Sequence, residues 1–248
     1  MLFVPDLKRR HLVPERMDDP QLPIAEHELA LKGLRRINRF SGTVTYLARS
    51  ILKVAKQKNQ PHWTLLDIGC ANGENLIALH RMLSKHLSIE SIGWDISPYA
   101  IDSARKLAHQ SGYTPRDIRF EQVDALSDSD KQAPQASADI VINSLFMHHF
   151  DENSVIELLK RSASLSKVAV VADDLNRTTL GWLLAKVGCS ILSRSPVVHF
   201  DGPQSVRAAF TVEEILSLAN RSGLDGVRLS KHWPERYTLI WEKPWPVS

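Results

Sequence analysis

Apolar positions along this 248-residue chain change their period several times, and each change marks an element. From residue 25 to 58 they recur at three- and four-residue spacings: Leu29, Leu34, Ile37 and Phe40, then Val44, Leu47, Ile51, Leu52 and Val54. That period is helical, and Ser41 with Gly42 divides it into two helices. Short apolar runs follow at 64–68, 91–95, 118–123, 138–144 and 168–173, with helical stretches between most of them. Strands alternating with helices predict a mostly parallel sheet covered on both faces. Two more runs, 227–229 and 237–241, predict a terminal pair of strands. The helix starts are marked by Ser97 before Pro98, by Asp151, and by the capping box Thr211-x-x-Glu214.

The two ends of this pattern are less regular. Residues 1–24 carry Pro5, Pro14, Pro20 and Pro23, so they predict an extended arm with a turn near 17–20. The segment 178–210, after the fifth strand, is too long for a simple connection. Its first part is strongly apolar, with Leu180, Trp182, Leu183, Leu184, Val187 and Ile191; its second part, 195–203, reads as a loop. An insertion of this kind either roofs an apolar substrate pocket or supplies a packing or dimer surface. The polar stretch 127–137 also reads as loop.

Composition narrows the class. Hydrophobic residues are 43% and charged residues 24%, a globular balance that allows one α/β domain with appended helices. No apolar run reaches the ~18 residues needed to span a membrane, and residues 1–10 lack the apolar core of a secretory signal. The two cysteines, Cys70 and Cys189, have no clustered histidine partners in sequence, so neither a disulfide scaffold nor a metal site is expected. A reducing cytoplasm is the expected home. Residues 1–60 hold 12 Lys/Arg against 6 Asp/Glu, a surplus of 6, which leaves −3 for the rest of a chain whose net charge is +3. Such a basic segment suits nucleic acid, an acidic substrate or a membrane surface, and equally the solvated face of a helix. No RNA-binding module accompanies it, so no nucleic-acid partner is expected.

The chemistry gathers where the first strand ends, in the sequence L-L-D-I-G-C-A-N-G-E from Leu65 to Glu74. Gly69 and Gly73 permit backbone angles and close approaches that a Cβ would block. The dinucleotide pattern G-x-G-x-x-G is not met, because Glu74 falls where its last small residue would stand. The lysine of a phosphate-binding loop is also missing. Acids around a glycine turn disfavour a pyrophosphate and suit a cofactor with positive charge and no phosphate. S-adenosylmethionine, with a sulfonium and an ammonium, fits that description. Two further acids keep step with the strands: Asp95 lies 28 residues after Asp67, and Asp124 lies 29 after Asp95.

The glycine turn resembles the first motif of class I S-adenosylmethionine-dependent methyltransferases, D-x-G-x-G-x-G, with Ala71 replacing the middle glycine. The resemblance covers about residues 60–242. It implies an α/β, Rossmann-like, doubly wound sheet of seven strands, the last antiparallel and inserted between the fifth and sixth. Residues 1–60 would form an arm and helical cap, and 61–248 the cofactor domain, with a substrate lid at about 178–210. It implies that Asp67, Gly69, Ala71 and Gly73 hold the cofactor, that Asp95 and Ile96 lie at its ribose, and that Asp124 and Ala125 lie at its adenine. Asn143 would stand near the sulfonium, and Arg39 in the cap would pair with the cofactor's carboxylate. The stretch 145–150, Leu-Phe-Met-His-His-Phe, resembles the L-H-H segment of small-molecule methyltransferases related to quinone biosynthesis. His148 and His149 are then the candidate general bases, and Asp173, Arg177 and His199 the candidate substrate contacts.

The expected activity is methyl transfer to a small, partly apolar acceptor of phenolic, quinone-like or polyketide type, at oxygen rather than carbon. RNA- or protein-directed methylation is the alternative. The N/D-P-P-Y/F motif for methylating an exocyclic base nitrogen is absent, since the chain reads Asn143, Ser144, Leu145, Phe146. A third reading is a protein that binds the cofactor, or keeps only its fold, without catalysis.

Overall fold

The apolar runs become strands of one sheet in a computed structural model that describes residues 5–19, 21–58, 60–127 and 138–244. The strands are β1 (Trp63–Ile68), β2 (Ile89–Asp95), β3 (Ile118–Gln122), β4 (Ala138–Ser144), β5 (Ser166–Leu175), β6 (Arg228–His232) and β7 (Arg236–Glu242). Their order is β3-β2-β1-β4-β5-β7-β6. Strands β1 to β5 pair in parallel, and β7 runs antiparallel to both β5 and β6. This is the doubly wound arrangement with the last strand inserted, as the resemblance implies. The chain builds outward from β1 through β2 to β3, then returns to β4 on the other side. The crevice between the carboxyl ends of β1 and β4 is therefore the topological switch point, where α/β sheets take their ligands. Of the expected loop 127–137, residues 128–137 lie outside the described residues.

Among the described residues, eight α-helices accompany the strands: α1 (Ile24–Ser41), α2 (Thr43–Lys56), α3 (Glu74–Leu83), α4 (Pro98–Gln110), α5 (Glu152–Leu165), α6 (Thr179–Leu192), α7 (Pro196–Ala208) and α8 (Val212–Arg221). Gly42, at φ 71°, separates α1 from α2 in the left-handed conformation that glycine adopts freely. Ser97, Asp151 and Thr211 cap their helices through their side chains, and Thr211 with Glu214 completes the capping box. Leu47 and Ile51 of α2, Leu76 and Leu79 of α3, and Ile101 of α4 pack on one face of the sheet with Leu65, Ile140 and Val171. Val155 and Leu158 of α5 and Ile215 and Leu218 of α8 pack on the other with Leu66, Val141 and Val170. Each fully buried Leu or Ile contributes about 1.5–3 kcal/mol, so these two layers fix the sheet edge that carries the site.

A third, smaller cluster joins α1, α6 and α7 through Ala30, Cys189, Val197 and Val198. The expected loop at 195–203 is instead the first two turns of α7. Pro196 sits in the first turn, where its missing N–H costs nothing, and Gly202 and Pro203 are carried inside the helix. The Gly202–Pro203 pair looks like a helix stop, but packing overrides it: a Cβ on Gly202 would collide with Cys189 Sγ of α6. Half of α6 faces outward, with Leu180, Val187 and Ile191 exposed.

The proline-rich arm is not free. Among its described residues, the only regular element is a 3₁₀ turn, Arg16–Asp18. The backbone N–H groups of Arg16 and Met17 donate to Asp201 Oδ1 and Oδ2 at 2.9 and 3.0 Å. His11 N–H donates to the Arg207 carbonyl, and Gln204 Nε2 to that of His11. The Arg10 guanidinium donates to the carbonyls of Ala208 and Phe150 and lies 3.5 Å over the Phe210 ring. The arm is thus strapped along α7, across the mouth of the sheet.

Candidate cofactor cleft and acceptor cavity

The turn after β1 holds three residues in the left-handed region: Gly69 at φ 78°, Ala71 at 48° and Gly73 at 75°. The amides of Gly69 and Cys70 donate to the Trp94 carbonyl at the end of β2, at 2.8 and 2.9 Å. Asp95 then receives Ala71 N–H on Oδ2 and Ser97 N–H on Oδ1, both at 2.9 Å. One carboxylate ties the glycine turn to the start of α4 and keeps further lone pairs for a ligand. A Cβ on Gly69 would come 2.5 Å from the Phe146 ring, so the turn after β1 and the segment after β4 lie against each other.

Among the described residues, buried polar atoms at this edge lack partners, those of Asp67 and Asn143 among them. Asp67 is 2% exposed, and its Oδ1 makes no hydrogen bond among the described residues. Burial first, and then the nearby charge of Asp95, push its carboxyl up to about 8. On β4, Asn143 is fully buried and neither its Oδ1 nor its Nδ2 has a partner. Buried amides and carboxylates are nearly always bonded, and leaving one unbonded costs about 1–3 kcal/mol. Such groups beside a backbone cradle match a cofactor with an ammonium, hydroxyls and no phosphate. The remaining predicted contacts are placed as follows. Ile96 is exposed beside Asp95. Asp124 follows β3 and takes Leu126 N–H at 2.9 Å, and Ala125 packs against the core. Arg39 is exposed on α1 and makes no contact with the turn. Glu74, the acid after the turn, is engaged by Arg35 of α1.

Next to this cleft, a cavity of about 410 Å³ opens under the arm. Its walls include Leu12, Val13 and Glu15 of the arm, His148 and His149 after β4, and Ser205 of α7. His148 is buried, and its Nδ1 lies 2.7 Å from Asp174 Oδ1 at the end of β5. Asp174 Oδ2 also takes the backbone N–H of His148, at 3.1 Å. Burial works against charge on this imidazole, but Asp174 and Glu15 outweigh it and raise its pKa to about 10. The second ring, His149, stacks obliquely on the first with centroids 4.3 Å apart.

Three predicted substrate residues are spent on structure. Arg177 is buried and donates to the Leu7 and Ala209 carbonyls and to both oxygens of Glu214, at 2.8 and 2.5 Å, so it locks the arm to α8. Asp173 is buried and receives Thr238 Oγ1 and His232 Nε2 on Oδ2, each at 2.7 Å, while its Oδ1 has no partner among the described residues. His199 Nε2 lies 2.9 Å from the Ser193 carbonyl. Polarity at the sheet edge suggested ligand contact, but burial required these groups to find internal partners first. Asp174, which the strand end also offered as a substrate contact, instead supports His148, and Glu15 emerges only in three dimensions. Glu15 lies 133 residues from His148, and no local pattern brings the two together.

A family model described as a methyltransferase domain matches residues 59–188, just over half of the chain. The chain therefore belongs to that family of methyltransferases, whose methyl donor is S-adenosylmethionine. No curated protein matches it by sequence. Among solved structures it resembles the S-adenosylmethionine-dependent methyltransferase SibL, at 19% identity and a TM-score of 0.64, over 92% of this chain and 60% of that one. It also resembles the magnesium protoporphyrin IX methyltransferase of Synechocystis with bound SAH, at 18% identity and a TM-score of 0.56, over 92% and 91% of the two chains. The plantazolicin methyltransferase BpumL in complex with SAH is similar at 18% identity and a TM-score of 0.60, over 89% and 96%. At these identities the likeness is one of fold. No helix among the described residues is long and apolar enough to cross a membrane.

Proposed function

We propose that this chain transfers the methyl group of S-adenosylmethionine to a small, partly apolar acceptor seated in the cavity under the arm. The observation that carries the reading is the pair of unpartnered buried groups, Asp67 and Asn143, at the switch point beside a three-residue left-handed turn. In this reading Asp67 and the Gly69–Gly73 backbone receive the amino-acid part of the donor, Asp95 and Ile96 its ribose, and Asp124 and Ala125 its adenine. Asn143, near the carboxyl end of β4, would lie by the sulfonium. The donor, when bound, supplies an electrophilic methyl on sulfur. The chain's part is to hold an acceptor atom in line with it and to keep water out, which supplies much of the rate in such transfers.

The acceptor is small because the cavity between the arm and α7 has a volume of about 410 Å³, and partly apolar because Leu12, Val13 and Ala208 line it. Residues 1–60 and 178–210 together form the cap that selects it, since α1, α6 and α7 share one cluster. Structural neighbours named for magnesium protoporphyrin IX and plantazolicin support a discrete molecule as acceptor. Incubating the chain and isotope-labelled donor with a cell extract tests the reading. Label is expected in the small-molecule fraction; label confined to RNA or protein contradicts it.

A further inference from the structure

The cavity holds a donor set that methyl transfer does not require. Glu15, His148 and His149 each offer one ligand-capable atom to the same space, and these atoms lie within 4.8 Å of one another. His148 Nε2 faces Glu15 Oε1 across 3.7 Å, and Asp18 Oδ2 stands 3.8 Å from His149 Nδ1 on the solvent side. Both separations are too long for hydrogen bonds. They are close to the spacing of neighbouring ligands around a first-row metal ion, about 3–3.4 Å for bonds of about 2.0–2.1 Å, so a small rotation of the partly buried Glu15 and His149 and the exposed Asp18 closes the set.

The buried side of the cluster is already built as a metal site would be. Asp174, 1% exposed, accepts from His148 Nδ1 at 2.7 Å and from the His148 backbone at 3.1 Å. This fixes the ring with Nε2 toward the cavity. A carboxylate on the rear nitrogen is the support that orients metal-bound histidines and raises their basicity. Ser205 Oγ lies against Glu15 and fixes that carboxylate from α7. Two imidazoles with carboxylates suit zinc and its first-row neighbours better than magnesium or calcium, which prefer oxygen alone.

We propose that Glu15, His148 Nε2 and His149 bind a divalent first-row transition ion such as zinc, with Asp18 as a further ligand and Asp174 as the rear support of His148. The sequence expectation of no metal rested on cysteine spacing and could not see this set, because the arm supplies its carboxylates. An ion held there would act on an oxygen of the acceptor as a Lewis acid, a role that rests on the methyl-transfer reading; metal binding itself does not.

The full chain, treated with chelator and dialysed, is titrated with Zn²⁺ by calorimetry and with Co²⁺ by visible absorption. Stoichiometric binding is expected, with d–d bands of an imidazole-containing site. Glu15→Gln and His149→Ala are each expected to weaken it at least about tenfold, while His109→Ala, exposed on α4, leaves it unchanged. Glu15 belongs to the arm and to neither main core, so Glu15→Gln keeps the fold, as circular dichroism will verify. Absence of stoichiometric Zn²⁺ binding by the folded wild type overturns the site, as does binding that survives both substitutions. S-adenosylhomocysteine titrations on the same samples separate the two proposals. Nucleoside binding without metal binding overturns only the metal site, and metal binding without nucleoside binding overturns only the methyl-transfer reading.

Discussion

Asp67 and Asp95 show how two acids of the same motif carry different burdens. Asp95 keeps both oxygens bonded to the turn and to α4, so it is at once scaffold and ligand contact. Replacing it with alanine removes two charge-assisted hydrogen bonds, each of about 1.5–3 kcal/mol. Asp95→Ala is therefore expected to weaken donor binding by at least about tenfold, read by calorimetry, and unchanged affinity would contradict this role. Asp67 is a buried carboxyl raised from its ordinary 3.8 to about 8. Folding thus takes up a proton between those values, and this group's contribution to stability falls as pH rises through that window. A cationic donor favours the carboxylate, so binding should release a proton near neutral pH and tighten as pH rises toward 8. Titrations in buffers of different ionisation enthalpy measure that release, and Asp67→Asn should abolish it. The in-phase acids were legible from the sequence because the βα repeat sets their spacing. Arg177 and Asp173 were not, because a polar residue at a strand end looks the same whether it faces a ligand or an internal partner.

At the scale of elements, the glycine turn and the arm are the two parts whose geometry is least replaceable. Gly69 combines φ 78° with a ring 2.5 Å from where its Cβ would lie. Gly69→Ala should cost about 1–2 kcal/mol from the backbone alone, and more donor affinity than stability, because the turn must shift away from Phe146. Urea denaturation and calorimetry on the same variant separate the two effects. The arm depends on Asp201, which receives two of its backbone N–H groups. Asp201→Ala should leave the sheet folded while limited proteolysis cuts within residues 5–19 about tenfold faster. Equal cutting rates would show that Arg10 and Arg177 hold the arm without it. Helices α1 to α5 and α8 announced themselves through period and caps. Helix α7 did not, since its Gly-Pro pair imitates a loop and only contact with α6 makes the helix the better solution.

For the whole molecule, the sheet order places a backbone cradle at the switch point and the cap elements across its mouth. Strand order could be inferred because alternating strands and helices leave few topologies, and a terminal strand pair fits the inserted β7. The cavity could not, since its walls come from residues 12–18, 148–149 and 204–208, far apart in sequence and joined only by packing. The account stands on one claim, that the crevice between β1 and β4 receives S-adenosylmethionine. Calorimetric titration of the folded wild-type chain with S-adenosylmethionine tests it most directly. The account predicts saturable one-site binding with a dissociation constant of about micromolar order, greatly weakened in Asp95→Ala. A folded chain that gives no binding heat, and no thermal shift with the same ligand, would contradict it.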